Sequence, residues 1–379
     1  MKQYMPFSPV EISILTRGEA VEYINEAVSG TDKTLLLASE GMLNRTGMDK
    51  WLSETKKSGK LIHLNSIPAN PSVSDVFESL KYLQGVQIDQ IIAIGGGSCI
   101  DLAKAISALY SLIPPDMLSK QSVYNAIKNK EYLLGHYFID IIALPTTSGT
   151  GSEVTKWATV WDFENKEKLS VDCVQIFPKA ALLVPEFTAT MTGRLTLSTG
   201  LDALSHAMES FWSRSKTPLS QAIAISAIDY VKEYLPEVLK DSSNLKLRQG
   251  MCLASLLAGL AFSITRTTAS HSISYPLTLC FGVEHGLAVA LTIAQVAEHN
   301  ESAVPEISRI YSIFGNKDEF NKWLKDVSVP VMDLKLSTFG ITERDLDFIA
   351  EKTFTQGRMD NNPIIFTKAD VIDILRQAL

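Results

Sequence analysis

The sequence predicts an α/β domain with a doubly wound, Rossmann-like parallel sheet, followed by an all-helical C-terminal domain. In the first half, short apolar runs alternate with amphipathic stretches, which is typical of βαβ units. From about residue 190, long segments with an apolar period of about 3.6 residues dominate. The 379-residue chain suits two domains of roughly 100–200 residues each, and we expect them at residues 1–188 and 189–379.

The predicted strands of the first domain alternate with predicted helices. The strands are TLLLAS (34–39), LIHLNSI (61–67), QIIAIGG (90–96) and FIDIIALPTT (138–147). The helices between them are TGMDKWLSETKKSG, SVSDVFESLKYLQ and CIDLAKAISALYSL, and ATVWDFENKEKLSVDCV is expected to form a hairpin. The second domain is expected to contain the helices GLDALSHAMESFW, SQAIAISAIDYVKEYLPEVL, LRQGMCLASLLAGLAF and GLAVALTIAQVAEHN.

Composition and charge argue against several classes of partner. A net charge of −7 without a run of five basic residues gives no support for binding to nucleic acid or to a membrane surface. The N-terminal stretch MKQYMPFSPVEIS lacks the apolar core of a signal peptide. The longest apolar segment is interrupted by Gly250, Gly259 and Arg266, so we expect no membrane-spanning helix. The four cysteines lack CxxC spacing, which favours buried thiols in a cytoplasmic protein.

Two polar turns with glycines follow successive predicted strands. Gly95, Gly96 and Gly97 come after the strand at 90–96, and ALPTTSGTGSEVT (143–155) follows the next one. Glycines let the backbone approach a phosphate, and a helix start offers N–H groups to an anion. Because parallel strands end at the same sheet edge, the two turns together predict a dinucleotide site. The glycine run alone is not a GxGxxG fingerprint and also fits a plain turn capped by Ser98.

Glu40 follows the first predicted strand of this domain. A carboxylate at this position can accept hydrogen bonds from ribose hydroxyls and would repel a 2′-phosphate. It therefore favours NAD(H) over NADP(H) as the cofactor. The alternative is a solvated surface glutamate.

Four side chains in the second domain have the types and spacing of a metal site. Asp202 and His206 are four residues apart, so on a helix they share one face about 6 Å apart along the axis. His271 and His285 would be about 21 Å apart in an unbroken helix, but Pro276 and the glycines after it predict a break. One carboxylate and three imidazoles suit Fe²⁺, Zn²⁺ or a similar ion with one position open. The alternatives are a solvated polar stripe and two histidines bonded to core carbonyls.

These motifs, in this order, resemble those of the iron-containing (group III) alcohol dehydrogenase family. The resemblance covers nearly the whole chain and rests on GGGSCID (95–101), PTTSGTGSEVT (145–155), TGLDALSHAMESF (199–211) and HSISYP…VEHG (271–286). It implies the dehydroquinate synthase-like fold of these enzymes, with the site between a dinucleotide-binding domain and a helical domain. It also implies an NAD(P)(H)-dependent enzyme that interconverts a small aldehyde and a primary alcohol, usually as a homodimer.

Matched by motif, individual residues acquire expected roles from this resemblance. The implied metal ligands are Asp202, His206, His271 and His285. The implied pyrophosphate contacts are Gly96, Gly97 and Ser98, with Asp101 nearby. The implied contacts to phosphates, ribose or nicotinamide are Thr146, Thr147, Thr150 and Lys168, and Asn70 is expected on the adenosine side.

At one position the chain departs from the family pattern. Many members carry a second histidine four residues after the third metal ligand, near the nicotinamide, and here that position is Tyr275. A phenol can donate a proton, so Tyr275 is the candidate catalytic residue, and its role stays open.

The stretch TRTT (265–268) gives the clue to the substrate. The Arg266 guanidinium suits a tetrahedral oxyanion through its forked N–H groups, and Thr268 and its neighbours add hydroxyl donors. TRTTASHSISYP also resembles the phosphonoacetaldehyde reductase branch of the family, which implies a phosphonate-bearing aldehyde as substrate. The alternative is that Arg266 pairs with an acid between helices and that the substrate carries no anion.

Two other classes stay open on the sequence. A lyase like dehydroquinate synthase also binds NAD and a divalent metal, but its ligand set begins with Glu and its site is more basic. A non-catalytic NAD-binding or sensor protein is the other alternative, and it would have no need for all four metal ligands.

Overall fold

The computed structural model describes residues 8–354 and 357–379. The chain divides into two compact units. The α/β unit comprises the chain up to Thr147 together with Ser152–Thr190, and the helical unit comprises Met191–Leu379 together with Ser148–Gly151. The N-terminal stretch that lacks the apolar core of a signal peptide begins in residues 1–7, outside the described residues.

The α/β unit contains a parallel sheet and a hairpin. The strands are β1 (Glu11–Ile14), β2 (Thr34–Leu37), β3 (Leu61–Leu64), β4 (Gln90–Gly95), β5 (Asp140–Pro145), β6 (Trp157–Asp162), β7 (Glu167–Asp172) and β8 (Ala180–Leu183). Among the described residues the main sheet has the order β1-β8-β5-β4-β2-β3, and each neighbouring pair is parallel. Strands β6 and β7 form the predicted antiparallel hairpin.

Helices cover both faces of this sheet, which confirms the doubly wound prediction. They are α1 (Arg17–Ser29), α2 (Glu40–Thr46), α3 (Asp49–Thr55), α4 (Val73–Tyr82), α5 (Gly97–Leu109), α6 (Lys120–Lys128) and α7 (Pro185–Thr188). In β4, Ile91 and Ala93 pack into a core with α4 and α5, whereas Ile92 and Ile94 pack into the core on the other face. A strand buried on both sides is apolar throughout, which is why these strands lack alternation.

The strand order reverses beside β2. The chain passes from β2 to β3 on one side, and β4 lies on the other side of β2. The carboxyl ends of β2 and β4 therefore flank a topological switch point, where open α/β sheets bind ligands. Glu40 begins α2 directly after β2, and Gly96 and Gly97 lead from β4 into α5.

The helical unit is organised around one central helix. Its helices are α8 (Gly193–Trp212), α9 (Pro218–Lys240), α10 (Leu245–Thr265), α11 (Ala269–Phe281), α12 (His285–Asn300), α13 (Ser308–Phe314), α14 (Lys317–Ser328), α15 (Leu346–Lys352) and α16 (Lys368–Gln377). Helix α8 is buried along most of its length and packs against α9, α10 and α12. The helical second half predicted from sequence is thereby confirmed.

Two glycines that were expected to interrupt an apolar segment lie inside α10. A methyl group on Gly250 would come 2.3 Å from the ring of Tyr234, and one on Gly151 would come 2.5 Å from the Cα of Gly259. The glycines therefore allow close packing rather than ending the helix. Among the described helices, α10 is long and apolar enough to span a bilayer, but 61% of its apolar window is buried inside the protein, as in a core helix.

The helix break between His271 and His285 is at Gly282 and not at Pro276. Pro276 lies inside α11, which continues to Phe281. Gly282 then adopts a left-handed backbone with φ 69°, and its N–H donates to the carbonyl of Thr278. A left-handed glycine is a common helix end because it lacks the steric penalty of a Cβ.

Candidate metal and cofactor sites

The predicted metal ligands come from three helices of the helical unit. Helix α8 carries Asp202 and His206, α11 carries His271, and α12 begins with His285. A methyl group on Gly286 would lie 2.0 Å from the carbonyl oxygen of Ser198. Only glycine at this position lets the start of α12 approach α8 so closely, and this approach places His285 next to Asp202.

The donor atoms of these side chains converge. A carboxylate oxygen of Asp202 and one ring nitrogen each of His271 and His285 lie within 4.8 Å of one another. The Oδ1 of Asp202 is 3.7 Å from Nε2 of His271 and 3.9 Å from Nδ1 of His206. His206 lies outside the group of three, with its ring stacked on that of His271 at 4.4 Å.

Three of these atoms are buried without a hydrogen-bond partner, namely Oδ1 of Asp202, Nδ1 of His206 and Nε2 of His271. Unpaired buried polar atoms are rare in proteins and call for an explanation such as a bound ion. Their mutual distances are too long for hydrogen bonds but suit ligands arranged at about 2.0–2.2 Å around one cation. The donor set therefore fits a divalent metal.

The electrostatics of the cluster also suit metal binding. Burial raises the pKa of Asp202, but the nearby imidazoles, His206 first among them, outweigh burial and hold that pKa below its usual range. Burial lowers the pKa of His206 to about 4, although the Asp202 carboxylate opposes this shift. An ionised carboxylate and a neutral imidazole are the forms that ligate metals.

Glu209 is a supporting residue for which the sequence predicted no role beyond a helix face shared with Asp202 and His206. Its buried carboxylate accepts hydrogen bonds from Nδ1 of His271 at 2.6 Å and from the backbone N–H groups of Thr268 and Ser270, each at 2.7 Å. With its proton on Nδ1, His271 directs the Nε2 lone pair towards Asp202. Carboxylates of this kind orient metal-bound histidines and increase their basicity. The available signal was an acid three residues after His206 in a largely apolar helix.

The two residues predicted to contact substrate lie in different environments. Thr268 is fully buried, and its hydroxyl accepts a hydrogen bond from the indole N–H of Trp212 at 3.0 Å. Together with its N–H bond to Glu209, this contact makes Thr268 part of the support beneath His271. Arg266 is exposed at the end of α10, in a left-handed backbone conformation with φ 62°.

Tyr275 lies next to the metal-ligand cluster. It is buried, and its ring is stacked on that of His285 with 6.3 Å between centroids. Burial raises the pKa of Tyr275 to about 12, so the phenol is protonated at neutral pH. The guanidinium carbon of Arg358, a residue without any sequence signal, lies 5.2 Å from the centre of the Tyr275 ring.

In the α/β unit, the glycine turn forms an open helix start. Gly96 is the N-cap of α5, and no side chain caps this helix end in the described structure. Ser98, the expected cap, instead accepts a hydrogen bond from the Asn70 N–H at 3.1 Å. A methyl group on Gly96 would lie 3.2 Å from Oγ1 of Thr147, so the two predicted turns are in contact. The hydroxyl of Thr146, beside them, is buried without a partner.

Buried polar groups connect α5 to the second turn. Asp101 accepts hydrogen bonds from Oγ of Ser152 at 2.6 Å and from the Thr159 N–H at 2.9 Å. Lys104 is fully buried and donates to the carbonyl oxygens of Ser152 and Trp157. Burial lowers the pKa of Lys104 to about 8. Asp101 thus holds the shape of the turn.

The remaining predicted cofactor residues are placed as follows. Glu40 is exposed at the carboxyl end of β2, and its Oε1 lies 3.4 Å from Nδ2 of Asn65. The Nζ of Lys168 lies 5.5 Å from the centre of the Trp161 ring. Thr150 belongs to the helical unit with the rest of Ser148–Gly151.

Comparison with known families identifies the class of protein. Residues 13–185 match the family model "Iron-containing alcohol dehydrogenase", and residues 196–379 match "Fe-containing alcohol dehydrogenase family, C-terminal". The chain belongs to the iron-containing alcohol dehydrogenase family. The predicted fold and the prediction of an iron-type NAD(P)-dependent alcohol dehydrogenase are thereby confirmed.

Three similar proteins indicate the range of activities among relatives of this chain. Choline dehydrogenase from Bacillus subtilis is 32% identical over 78% of this chain and 73% of its own length. Phosphonoacetaldehyde reductase from Streptomyces viridochromogenes is 36% identical over 62% of this chain and 59% of its own length. The crystal structure of sulfoacetaldehyde reductase from Bifidobacterium kashiwanohense in complex with NAD⁺ is 29% identical, with a TM-score of 0.84 over 100% of this chain and 98% of that one.

Proposed function

We propose that this chain is a metal-dependent NAD(H) oxidoreductase that interconverts phosphonoacetaldehyde and 2-hydroxyethylphosphonate. The observation that carries the oxidoreductase chemistry is the convergence of the unpaired Asp202, His206 and His271 atoms beside His285. The phosphonate is supported by Arg266 and by two relatives whose names specify short aldehydes with an anionic headgroup. The proposed enzyme would be cytoplasmic and would act as a homodimer, as is usual in the family.

Asp202, His271 and His285, together with the adjacent His206, would hold the metal, with Fe²⁺ favoured and Zn²⁺ as the alternative. When bound, a divalent cation polarises the aldehyde carbonyl as a Lewis acid, and NADH supplies the hydride. The protein's own part is to fix the ligands, to orient the substrate and to deliver a proton. Tyr275, protonated and stacked on His285, is the proposed proton donor to the alkoxide oxygen.

The cofactor would bind at the carboxyl edge of the parallel sheet. The uncapped start of α5, at Gly96, Gly97 and Ser98, would take the pyrophosphate, as helix N-termini do. The further contacts proposed for the cofactor are Asn70, Thr146, Thr147, Thr150 and Lys168, with Asp101 as a positioning residue. Glu40, at the switch point, would accept from the adenosine ribose and thereby favour NAD(H) over NADP(H).

A specific observation favours a second candidate function, a dehydrogenase of small alcohols without an anionic headgroup. The choline dehydrogenase relative is similar over a larger share of the chain than the phosphonoacetaldehyde reductase is. A substrate with a cationic headgroup would, however, be repelled by Arg266. The second candidate is therefore a short-chain alcohol dehydrogenase that acts on uncharged substrates without selecting an anion.

The test is a comparison of aldehydes that differ in headgroup charge. Protein reconstituted anaerobically with Fe²⁺ is assayed by NADH oxidation with phosphonoacetaldehyde, propanal and betaine aldehyde. We expect kcat/KM for phosphonoacetaldehyde to exceed the other two by about 10-fold or more, because charge-assisted hydrogen bonds to the anion are each worth about 1.5–3 kcal/mol. Equal efficiency with propanal, or a preference for betaine aldehyde, would exclude the phosphonate assignment.

A further inference from the structure

One short segment of the helical unit is in contact with Arg266 and carries a second arginine, Arg358. A methyl group on Gly357 would lie 3.2 Å from Nη1 of Arg266, so the Arg266 guanidinium lies against Gly357. The next residue in the chain is Arg358, whose guanidinium carbon is 5.2 Å from the centre of the Tyr275 ring. Arg266 comes from the end of α10, far from Gly357 in sequence, so the contact between Arg266 and this segment is a product of the fold.

Asn361 fixes the two arginine-bearing segments to each other. Its side-chain amide donates to the carbonyl oxygens of Thr265 at 2.8 Å and Thr267 at 3.0 Å, on either side of Arg266. Its own side-chain oxygen accepts from Oγ of Ser213 at 3.1 Å. The backbone around Arg266 is therefore held in place on both sides, and Arg266 is in a strained left-handed conformation. Strain of this kind persists where the surroundings impose it, which is common at ligand sites.

Arg358 is close to the candidate catalytic residue Tyr275. Arg358 faces the Tyr275 ring, and that ring is stacked on His285 at 6.3 Å. The Tyr275 ring thus contacts both the Arg358 guanidinium and a predicted metal ligand, His285. A short two-carbon substrate could place its carbonyl by the ligand cluster while its other end points towards Arg358.

We propose that Arg358 and Arg266 together bind the headgroup of a dianionic substrate, with Arg358 as the specificity-determining residue, an inference that rests on the proposed aldehyde reductase function. Two guanidiniums offer paired forked donors and two positive charges. A phosphonate carries up to two negative charges, whereas a sulfonate carries only one. The arginine pair therefore selects phosphonates over sulfonates of the same length, and not merely anions over neutral aldehydes.

The test separates binding from turnover. Ethylphosphonate and ethanesulfonate have no oxygen on C2 and cannot react, so their binding to the Fe²⁺- and NADH-loaded protein is measured by calorimetry at mildly alkaline pH, where the phosphonate is a dianion. We expect the wild type to bind ethylphosphonate about 10-fold or more tightly than ethanesulfonate, and Arg358→Gln to lose most of this difference. Arg358→Lys, which keeps the charge but not the fork, should lie between them.

The matched control is Arg309→Gln, because Arg309 also lies over an aromatic ring, that of Phe211 at 5.6 Å, and has no part in the site. In kinetics, Arg358→Gln should raise KM for phosphonoacetaldehyde about 10- to 100-fold and lower the selectivity ratio over propanal, while Arg309→Gln leaves the ratio as in wild type. An unchanged phosphonate-to-sulfonate ratio in Arg358→Gln, or no binding of ethylphosphonate to wild type, overturns the inference. If wild type binds ethylphosphonate through Arg358 yet reduces no aldehyde, the anion site stands and the proposed function fails.

Discussion

The carboxylate of Glu209 offers a direct test of how the metal-ligand cluster is built. In wild type, its two oxygens accept from the His271 imidazole and from the Thr268 and Ser270 N–H groups. In Glu209→Gln, one oxygen becomes an NH₂ group, and in either orientation it faces at least one backbone N–H. If the new NH₂ group faces the imidazole, His271 can keep a hydrogen bond to residue 209 only by moving its own proton from Nδ1 to Nε2. This move removes the Nε2 lone pair that the metal needs.

The magnitude follows from these contacts. One buried N–H left without an acceptor costs about 1–3 kcal/mol of folding free energy. Loss of a carboxylate behind a metal-bound histidine typically weakens metal affinity or activity by about 10- to 100-fold. We therefore expect Glu209→Gln to fold with a lowered Tm and to bind Fe²⁺ or Zn²⁺ about 10- to 100-fold more weakly.

The assay is chelator competition at defined free metal, followed by metal analysis of the dialysed protein. The control variant is Glu284→Gln, because Glu284 directly precedes His285 but forms an exposed ion pair with Arg194 at 2.6 Å. Exposed pairs contribute about 0–1 kcal/mol, so this variant should bind metal like wild type. A wild-type metal dissociation constant in folded Glu209→Gln would refute the role assigned to this carboxylate.

Three further outcomes are expected. Gly286→Ala should lower Tm and weaken metal binding, because its methyl group would lie 2.0 Å from a backbone carbonyl oxygen of α8. Overpacking of this kind costs about 1–3 kcal/mol of folding free energy. An unchanged Tm in calorimetry would contradict this expectation. Asp101→Ala should weaken NAD⁺ binding about 10-fold in fluorescence titrations, because the turn that it holds loses both hydrogen bonds. Iodoacetamide should label exposed Cys280 and spare buried Cys99, because burial raises the pKa of Cys99 to about 12. Peptide mass spectrometry would locate the label, and preferential labelling of Cys99 would contradict this expectation.

Much of the fold could be predicted because local patterns determine it. The runs at 34–39 and 90–96 are apolar on both faces, so they predicted strands, and β2 and β4 are found there. Strand β1, EISI, was not predicted, since it is short, half-exposed and pairs only at the sheet edge. Pro276 was given the wrong role because a proline can be accommodated within a helix when tertiary packing compensates for the lost N–H bond.

The candidate site was predictable only where its residues form local motifs. The spacing of Asp202 and His206 is enough to place them on one helix face, so the sequence alone marks them as a pair. Glu209 and His271 are 62 residues apart, and nothing local links the two. Arg358 likewise lies in a stretch without a recognisable motif, and only the fold brings it over Tyr275.

The tetrapeptide Ser148–Gly151 has a consequence for anyone who cuts this chain into parts. It interrupts the α/β unit in sequence, yet its glycines fit against Thr199 and Gly259 of the helical unit. A fragment expressed from residue 191 onwards would lack this tetrapeptide, and a cavity would be left beside α8 and α10. A fragment meant to isolate the metal-ligand helices should therefore be unstable unless the tetrapeptide is supplied, for instance through a permuted chain that joins it to the fragment.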